Sequence, residues 1–194
     1  MTTPQDVLIP ANGEQLAAYV YRPQATGPNA PCIVMAHGFT ATRDDGLPAY
    51  AEAFRDAGYV VVLFDYRHFG ASTGQPRQLL DVGRQRQDYH TAIAWARRLD
   101  GVDPERIVVW GSSFSGGHVL AVAADDPRIA AVISQAPFTD ALAALREVPL
   151  KILPGMTLAG LRDQIGAWRG RPPRLLPAVG DSGTVAAMTS PGAR

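Results

Sequence analysis

The stretch of sequence that decides the fold is Ile107-Val108-Val109-Trp110-Gly111-Ser112-Ser113-Phe114-Ser115-Gly116-Gly117. Its first four residues are apolar and mostly β-branched, which is typical of a short buried strand. Small residues follow, and an apolar helical pattern then runs from Phe114 to about Ala124. The stretch therefore predicts a strand, a tight turn and a helix, with Ser113 on the turn.

This turn has the spacing of a nucleophile elbow, in which small residues flank a nucleophile held in a strained conformation. Gly111 precedes Ser113 by two positions, and Ser115 and Gly116 follow it by two and three. The usual Gly-x-Ser-x-Gly pattern is therefore met with its second glycine one position late. The free N–H groups of the following helix would stabilise negative charge developing on a carbonyl oxygen. We predict that Ser113 is a catalytic nucleophile.

Other interpretations of the same turn stay open. One is that Ser113 only caps the helix in a glycine-rich loop, and a weaker one makes Ser115 the nucleophile. A phosphate-binding loop is disfavoured, because the stretch has no Lys-Ser or Lys-Thr pair and a dinucleotide fingerprint would need glycine at position 113.

Strands and helices alternate on both sides of the turn. This order predicts an α/β fold with a mostly parallel, doubly wound sheet covered on both faces. Strands are predicted at residues 16–22, 31–36, 59–64, 107–110 and 130–134, and helices at residues 47–57, 79–99 and 114–124.

The composition changes after about residue 148. Gly and Pro make up 13 of the 46 residues in 149–194, against 35 of 194 in the whole chain. Such a segment lacks the apolar runs of buried strands and favours turns. We therefore predict two parts, an α/β core at residues 1–148 and a Pro/Gly-rich cap or excursion at residues 149–194.

Two further segments carry a family resemblance. His37-Gly38-Phe39 directly follows a predicted buried strand, and Asp65-Tyr66-Arg67-His68-Phe69-Gly70-Ala71-Ser72 resembles an Asp-x-Arg-Gly-x-Gly-x-Ser loop. With the elbow, these segments resemble the α/β-hydrolase superfamily. The nearest branch is that of bacterial dienelactone hydrolases and serine peptidases.

The resemblance implies a site and a reaction. It implies Ser113 as the nucleophile and the backbone N–H groups of Phe39 and Phe114 as the oxyanion hole. The implied substrate is a small molecule with an ester, thioester or amide group, and no metal or organic cofactor is implied. The chain departs from the family loop at His68, where the family has glycine.

The acid and base of a catalytic triad are not evident. In this family they follow the serine along the chain, and His118 is the one histidine after Ser113. Five residues along a helix turn His118 away from the Ser113 hydroxyl, so we expect a core histidine. His37 is expected to shape the oxyanion turn, and His90 to be a solvated residue of a helix.

Asp140 and Asp181 are the weak candidates for the acid. The sequence is best explained by a chain that ends before the strands carrying the acid and the base. We then expect the strand near Ile133 to form an open sheet edge, which favours self-association. An unactivated serine would also be a poor nucleophile in this chain alone.

Composition and charge exclude several other functions. The 18 basic and 18 acidic side chains balance without clusters, which argues against nucleic acid as a partner. Neither a secretory signal nor a membrane-spanning apolar run is present, so we expect a cytoplasmic protein without a membrane partner. The single cysteine, Cys32, lies in an apolar run and is expected to be a buried, inert thiol.

These observations favour a serine hydrolase that works through an acyl-enzyme on Ser113. The alternative is a non-catalytic protein of the same fold that binds a small apolar ligand or a partner chain.

Overall fold

The computed structural model of the chain describes residues 3–24, 29–146, 150, 152–181, 184 and 186–188. Its contacts divide into two compact units, Met1–Thr139 and Asp140–Arg194. The domain boundary predicted after residue 148 lies outside the described residues.

The described part of the first unit forms a six-stranded, mostly parallel sheet with the order β1-β2-β4-β3-β5-β6. Strands β3, β4, β5 and β6 run parallel to one another, and β2 joins β4 in the antiparallel direction. The predicted α/β class is confirmed. The strands are β1 Gln5–Ala11, β2 Glu14–Tyr21, β3 Ala30–Ala36, β4 Val60–Phe64, β5 Val102–Ser112 and β6 Ile129–Gln135, and the helices are α1 Leu47–Asp56, α2 Val82–Ala96, α3 Phe114–Asp125, α4 Ala141–Arg146 and α5 Leu153–Trp168.

Helices cover both faces of the sheet. On one face, α2 and α3 pack over a cluster that includes Val62 and Phe64 of β4, and on the other face α1 packs over Val61 and Leu63. Successive residues of a strand point to opposite faces, so a strand buried on both sides must be apolar throughout. This explains why β3 and β4 read as uninterrupted apolar runs.

Strand β6 lies at the edge of the sheet, as expected for the strand near Ile133. It pairs with β5 on one side, and its Val132 and Ile133 side chains are both exposed. Self-association through this edge stays a prediction.

Strand β1 was not expected from the sequence. It joins β2 through a two-residue turn, Asn12-Gly13, and both turn residues have positive φ, 48° and 85°. Positive φ at both positions is the mark of the hairpin turn for which Asn-Gly is the preferred pair. Pro10 is accommodated because β1 is an edge strand.

The second unit is mainly helical in its described residues. Its helices are α4 and α5. An isolated bridge between Val179 and Met188 is the strand pairing found in its described part. No helix among the described residues is long and apolar enough to cross a membrane.

Candidate active site

Ser113 lies at the junction of β5 and α3 in a strained conformation. Its φ is 56° and its ψ is −116°, a region that residues with a side chain rarely occupy. The Ser113 N–H donates to the Gln135 carbonyl at 2.9 Å, and its carbonyl accepts from the Phe138 N–H at 2.9 Å. The Ser113 side chain is exposed. The structure therefore fixes the backbone of Ser113 while leaving its hydroxyl accessible.

The hydroxyl of Ser113 does not cap the helix. Ser113 occupies the N-cap position of α3, but its side chain makes no capping hydrogen bond. The interpretation of Ser113 as a capping serine is therefore wrong.

Ser115 has a structural role. It is fully buried, and its Oγ donates to the Ala36 carbonyl at 2.9 Å and accepts from the Ser112 N–H at 3.0 Å. These contacts connect the start of α3 to the end of β3. The Ser115 hydroxyl is enclosed and already bonded, so Ser113 is the better placed of the two serines for attack on a substrate.

Close backbone contacts explain the glycines of the turn. A Cβ at Gly111 would lie 2.7 Å from Ser115 Oγ, and a Cβ at Gly116 would lie 3.0 Å from the Gln135 carbonyl oxygen. A Cβ at Gly117 would overlap the Phe138 carbonyl oxygen. The turn thus needs glycine at positions 111, 116 and 117, and it accepts serine at 115.

Gly117→Ala is expected to lower the free energy of unfolding by about 1–3 kcal/mol, because the added methyl group meets backbone that cannot move independently of the turn. Gly160→Ala is the matched control: this glycine lies inside helix α5, and its added Cβ would meet no atom within 4 Å. The control should be neutral or stabilising. Urea unfolding of the two variants tests this, and equal effects would contradict the proposed close contact.

The structure brings the two predicted oxyanion residues to Ser113. A Cβ at Gly38 would lie 3.5 Å from the Ser113 Cβ, so the end of β3 reaches the turn. The Phe39 and Phe114 rings pack edge to face with centroids 5.7 Å apart. Among the described residues, neither backbone N–H of this pair donates a hydrogen bond. Both groups are therefore available to a ligand oxygen.

The loop after β4 lies at the carboxyl end of the parallel strands and is held by buried polar contacts. The Asp65 carboxylate is fully buried and accepts from the Arg43 N–H at 2.7 Å and the Ala71 N–H at 2.9 Å. Gly70, with φ 49°, has no room for a side chain, because a Cβ there would collide with the same carboxylate. The loop is thus organised around one buried acid.

His68 stands where the family loop has glycine. Its φ is 72°, a conformation that glycine adopts without strain, so the position is left-handed even though glycine is absent. The ring is buried, and its Nδ1 lies 3.0 Å from the Pro76 carbonyl oxygen. Burial lowers the pKa of His68. We assign it a role in loop shape.

His37 is enclosed beside the oxyanion turn. Its Nδ1 lies 3.0 Å from the Gly38 carbonyl oxygen, and its Nε2 lies 3.8 Å from Asp65 Oδ1. The ring is 1% exposed, and burial lowers the pKa of His37. Because both nitrogens face protein groups, this ring fits the structural role expected from the sequence.

The other two histidines are also engaged elsewhere. His90 Nε2 lies 3.9 Å from Asp125 Oδ2 at the surface of α2. His118 is buried beneath Phe114, with ring centroids 4.7 Å apart, and its Nε2 lies 2.9 Å from Gln85 Oε1. No described side chain forms a hydrogen bond with Ser113 Oγ, so a base is not identified within the described chain.

His118 is expected to make stability depend on pH. Burial lowers the pKa of His118 to about 4, so between pH 6.5 and 4 the unfolded chain binds a proton that the folded chain does not. The folded state therefore loses about 3 kcal/mol from this group as the pH falls through that window. His118→Gln removes the titration, so its urea stability should fall less than that of the wild type. If the free energies of unfolding of the wild type and His118→Gln fell in parallel with pH, His118 would not be the source of the pH dependence.

The candidate acids both belong to the second unit. Asp140 Oδ1 accepts from the Leu142 and Ala143 N–H groups, each at 2.9 Å, which is the capping geometry of α4. The Asp181 carbonyl accepts from the Thr184 N–H at 3.0 Å. Asp140 therefore has a structural role, and the assignment of an acid stays open.

Cys32 lies in strand β3 and is enclosed by the core. Cys32 is fully buried, and desolvation raises the pKa of its thiol to about 12. Among the residues that the structure describes, no group of three or more His, Cys, Asp or Glu side chains could hold a metal ion.

The sheet, its helices and the turn at Ser113 have the architecture of the α/β-hydrolase fold. The chain belongs to the X-Pro dipeptidyl-peptidase (S15) family, whose model matches residues 12–181. It is similar to the quorum-quenching protein AidA of Acinetobacter baumannii, with 50% identity over 98% of this chain and 62% of the relative. It is also similar to the polyketide transferase ATR5 of Stachybotrys chlorohalonatus, with 36% identity over 89% of this chain and 55% of the relative.

A solved structure shows the same architecture. The α/β hydrolase GrgF from Penicillium sp. sh18 matches 94% of this chain and 61% of its own with a TM-score of 0.81 and 30% identity. The chain thus spans less than two thirds of these three proteins.

Proposed function

We propose that this chain carries the nucleophile and oxyanion hole of a serine hydrolase that cleaves an ester, thioester or amide. The observation that carries the proposal is the exposed Ser113 hydroxyl on a strained turn, beside two backbone N–H groups without acceptors among the described residues. A nucleophile in such a position can meet a carbonyl carbon while the amides of Phe39 and Phe114 bind the carbonyl oxygen.

The proposed reaction has two steps. Ser113 Oγ attacks the carbonyl carbon, its proton passes to a base, and the bond to the leaving group breaks to give an acyl-enzyme and a protonated leaving group. A water molecule then attacks the acyl carbon, which releases the carboxylic acid and returns a proton to Ser113. The two N–H groups stabilise the oxyanion formed in each step.

The names of the relatives fit acyl chemistry of this kind. They include a thiohydrolase from Aspergillus aculeatus and an acyltransferase from Aspergillus calidoustus, besides the polyketide transferases. Hydrolysis and transfer differ only in the acceptor of the second step, which is water in one and another nucleophile in the other. An acyl group on Ser113 is the intermediate that both reactions would share.

The proposal is tested by covalent labelling. The folded chain is treated with a fluorophosphonate, digested and mapped by mass spectrometry. We expect a slowly formed adduct on Ser113, since no base is identified for it among the described residues, and none on Ser112 or Ser115. Prior unfolding in urea should abolish labelling, since the strained turn and its amides are then lost. An adduct elsewhere, or labelling that survives unfolding, would contradict the proposal.

The second candidate is a non-catalytic binding protein of the same fold. The positions of the histidines favour this candidate. The ring of each described histidine contacts a group other than the Ser113 hydroxyl, so none of them is placed to act as its base. A folded sample that resists every fluorophosphonate would support this candidate.

A further inference from the structure

We propose that Phe39, Phe114 and Phe138 form an apolar subsite that binds the acyl group attached to the reacting carbonyl. The preferred substrate would then carry a long alkyl or an aromatic acyl group. This inference rests on the proposed role of Ser113 and specifies the substrate class of the same site.

The three rings form a continuous row beside the turn. Phe114 is the central ring, with its centroid 5.7 Å from that of Phe39 and 5.6 Å from that of Phe138. Phe39 and Phe114 also carry the two backbone N–H groups proposed to bind the carbonyl oxygen. An acyl group on Ser113 would therefore start at the position from which these rings extend.

The backbone of Phe138 is fixed relative to Ser113. Its N–H donates to the Ser113 carbonyl at 2.9 Å, and its own carbonyl oxygen fills the space that a side chain at Gly117 would need. The same contacts that hold the elbow thus fix the backbone that carries the Phe138 ring. A ring attached to fixed backbone loses less conformational freedom when a substrate binds.

Core packing alone does not account for these rings. Phe64 and Phe69, which belong to the core, are 0% and 3% exposed, whereas Phe138 is 40% exposed and Phe39 and Phe114 are half-buried. Ligand sites are lined mainly by apolar and aromatic side chains, with a few polar groups that fix orientation. The three phenylalanine rings would supply the apolar lining of such a site, and the two N–H groups would supply the polar contacts that orient the ligand.

Chain-length preference tests the subsite. Second-order rate constants for labelling of Ser113 are measured with two fluorophosphonates that carry a methyl or an octyl group on phosphorus. We expect the wild type to prefer the octyl probe, and Phe138→Ala to reduce the octyl-to-methyl ratio about tenfold, which is the size expected when part of an apolar contact is lost. Taking the ratio removes any general change in the reactivity of Ser113.

Two further variants make the result specific. Phe138→Leu keeps an apolar side chain and should retain most of the preference. Phe54→Ala makes the same chemical change on α1, where Phe54 packs against Tyr59, and should leave the ratio as in the wild type.

The outcomes separate the two proposals. Labelling of Ser113 with an unchanged ratio in Phe138→Ala would overturn the subsite and leave the proposed function intact. No labelling of Ser113 by either probe would overturn the proposed function, and the subsite with it.

Discussion

Ser113→Ala is expected to abolish covalent labelling of the folded chain by fluorophosphonates, from one adduct per chain to none. The reason is chemical, since the Ser113 oxygen is the atom that bonds to phosphorus, and Ser115 Oγ, two positions along the chain, is buried and hydrogen-bonded to the Ala36 carbonyl. Intact-mass spectrometry measures the stoichiometry directly. Ser112→Ala is the matched control and should still be labelled. Persistent labelling of Ser113→Ala would assign the nucleophile to another residue.

The variant Ser113→Cys provides an independent measure of how accessible the side chain at position 113 is to a reagent in solution. An exposed thiol has a pKa near 8.5, more than three units below the value of about 12 at buried Cys32. The thiolate fraction at pH 7 therefore differs by about a thousandfold, and burial protects Cys32 further. In Ser113→Cys, iodoacetamide should thus modify position 113 at least about a thousandfold faster than Cys32. Similar rates at both positions would place the residue in the interior.

The sheet was predictable where burial dictates the sequence. Strands such as β3 and β4 are covered on both faces, so each is an apolar run that can be read without a structure. Strand β1 lies at the edge, where Pro10 and exposed Leu8 interrupt such a pattern. The signal that would have revealed it is Asn12-Gly13, the preferred pair of a two-residue hairpin.

The turn at Ser113 was predictable because its small residues follow a recognised motif. Gly111 is required by Ser115, four positions along the chain, whereas Gly116 and Gly117 are required by Gln135 and Phe138, about 20 positions away. The role of Ser115 was not predictable, because its hydroxyl bonds to the Ala36 carbonyl, 79 positions away in sequence. A sequence alone gives the residue types of such a contact, and not the register that brings them together.

The buried ion pair between Arg67 and Asp88 of α2 was also not predictable from the sequence. The Arg67 guanidinium meets the Asp88 carboxylate at 2.6 Å, and the two residues are 21 positions apart. In the sequence, Asp88 stands two positions before His90 in a predicted helix, and nothing there indicates which way its side chain faces. The structure shows that it faces inwards, where Arg67 of the loop after β4 is held.

Asp88→Ala is expected to lower the free energy of unfolding by about 3–5 kcal/mol, which is typical when one partner of a buried ion pair is removed. Asp88 Oδ1 accepts from Arg67 Nε at 2.6 Å, and its Oδ2 accepts from the Arg67 backbone N–H at 3.0 Å. The two side chains are 7% and 1% exposed. The variant leaves the Arg67 charge and one N–H buried without their acceptor, although Gln87 Oε1 still accepts from Arg67 Nη2 at 2.8 Å.

The measurement is urea unfolding at pH 8, because burial raises the pKa of Asp88 to about 6 and the carboxyl must be fully ionised. Asp103→Ala is the matched control: its partner, Arg106, lies at a similar 2.8 Å, but this ion pair is open to solvent. Water screens such a pair and can replace the lost partner, so the control should change the free energy of unfolding far less. Asp88→Asn should fall between the two, since it keeps an oxygen for the Arg67 N–H and loses the charge. A loss in Asp88→Ala no larger than in Asp103→Ala would mean that Arg67 reaches water in the folded chain.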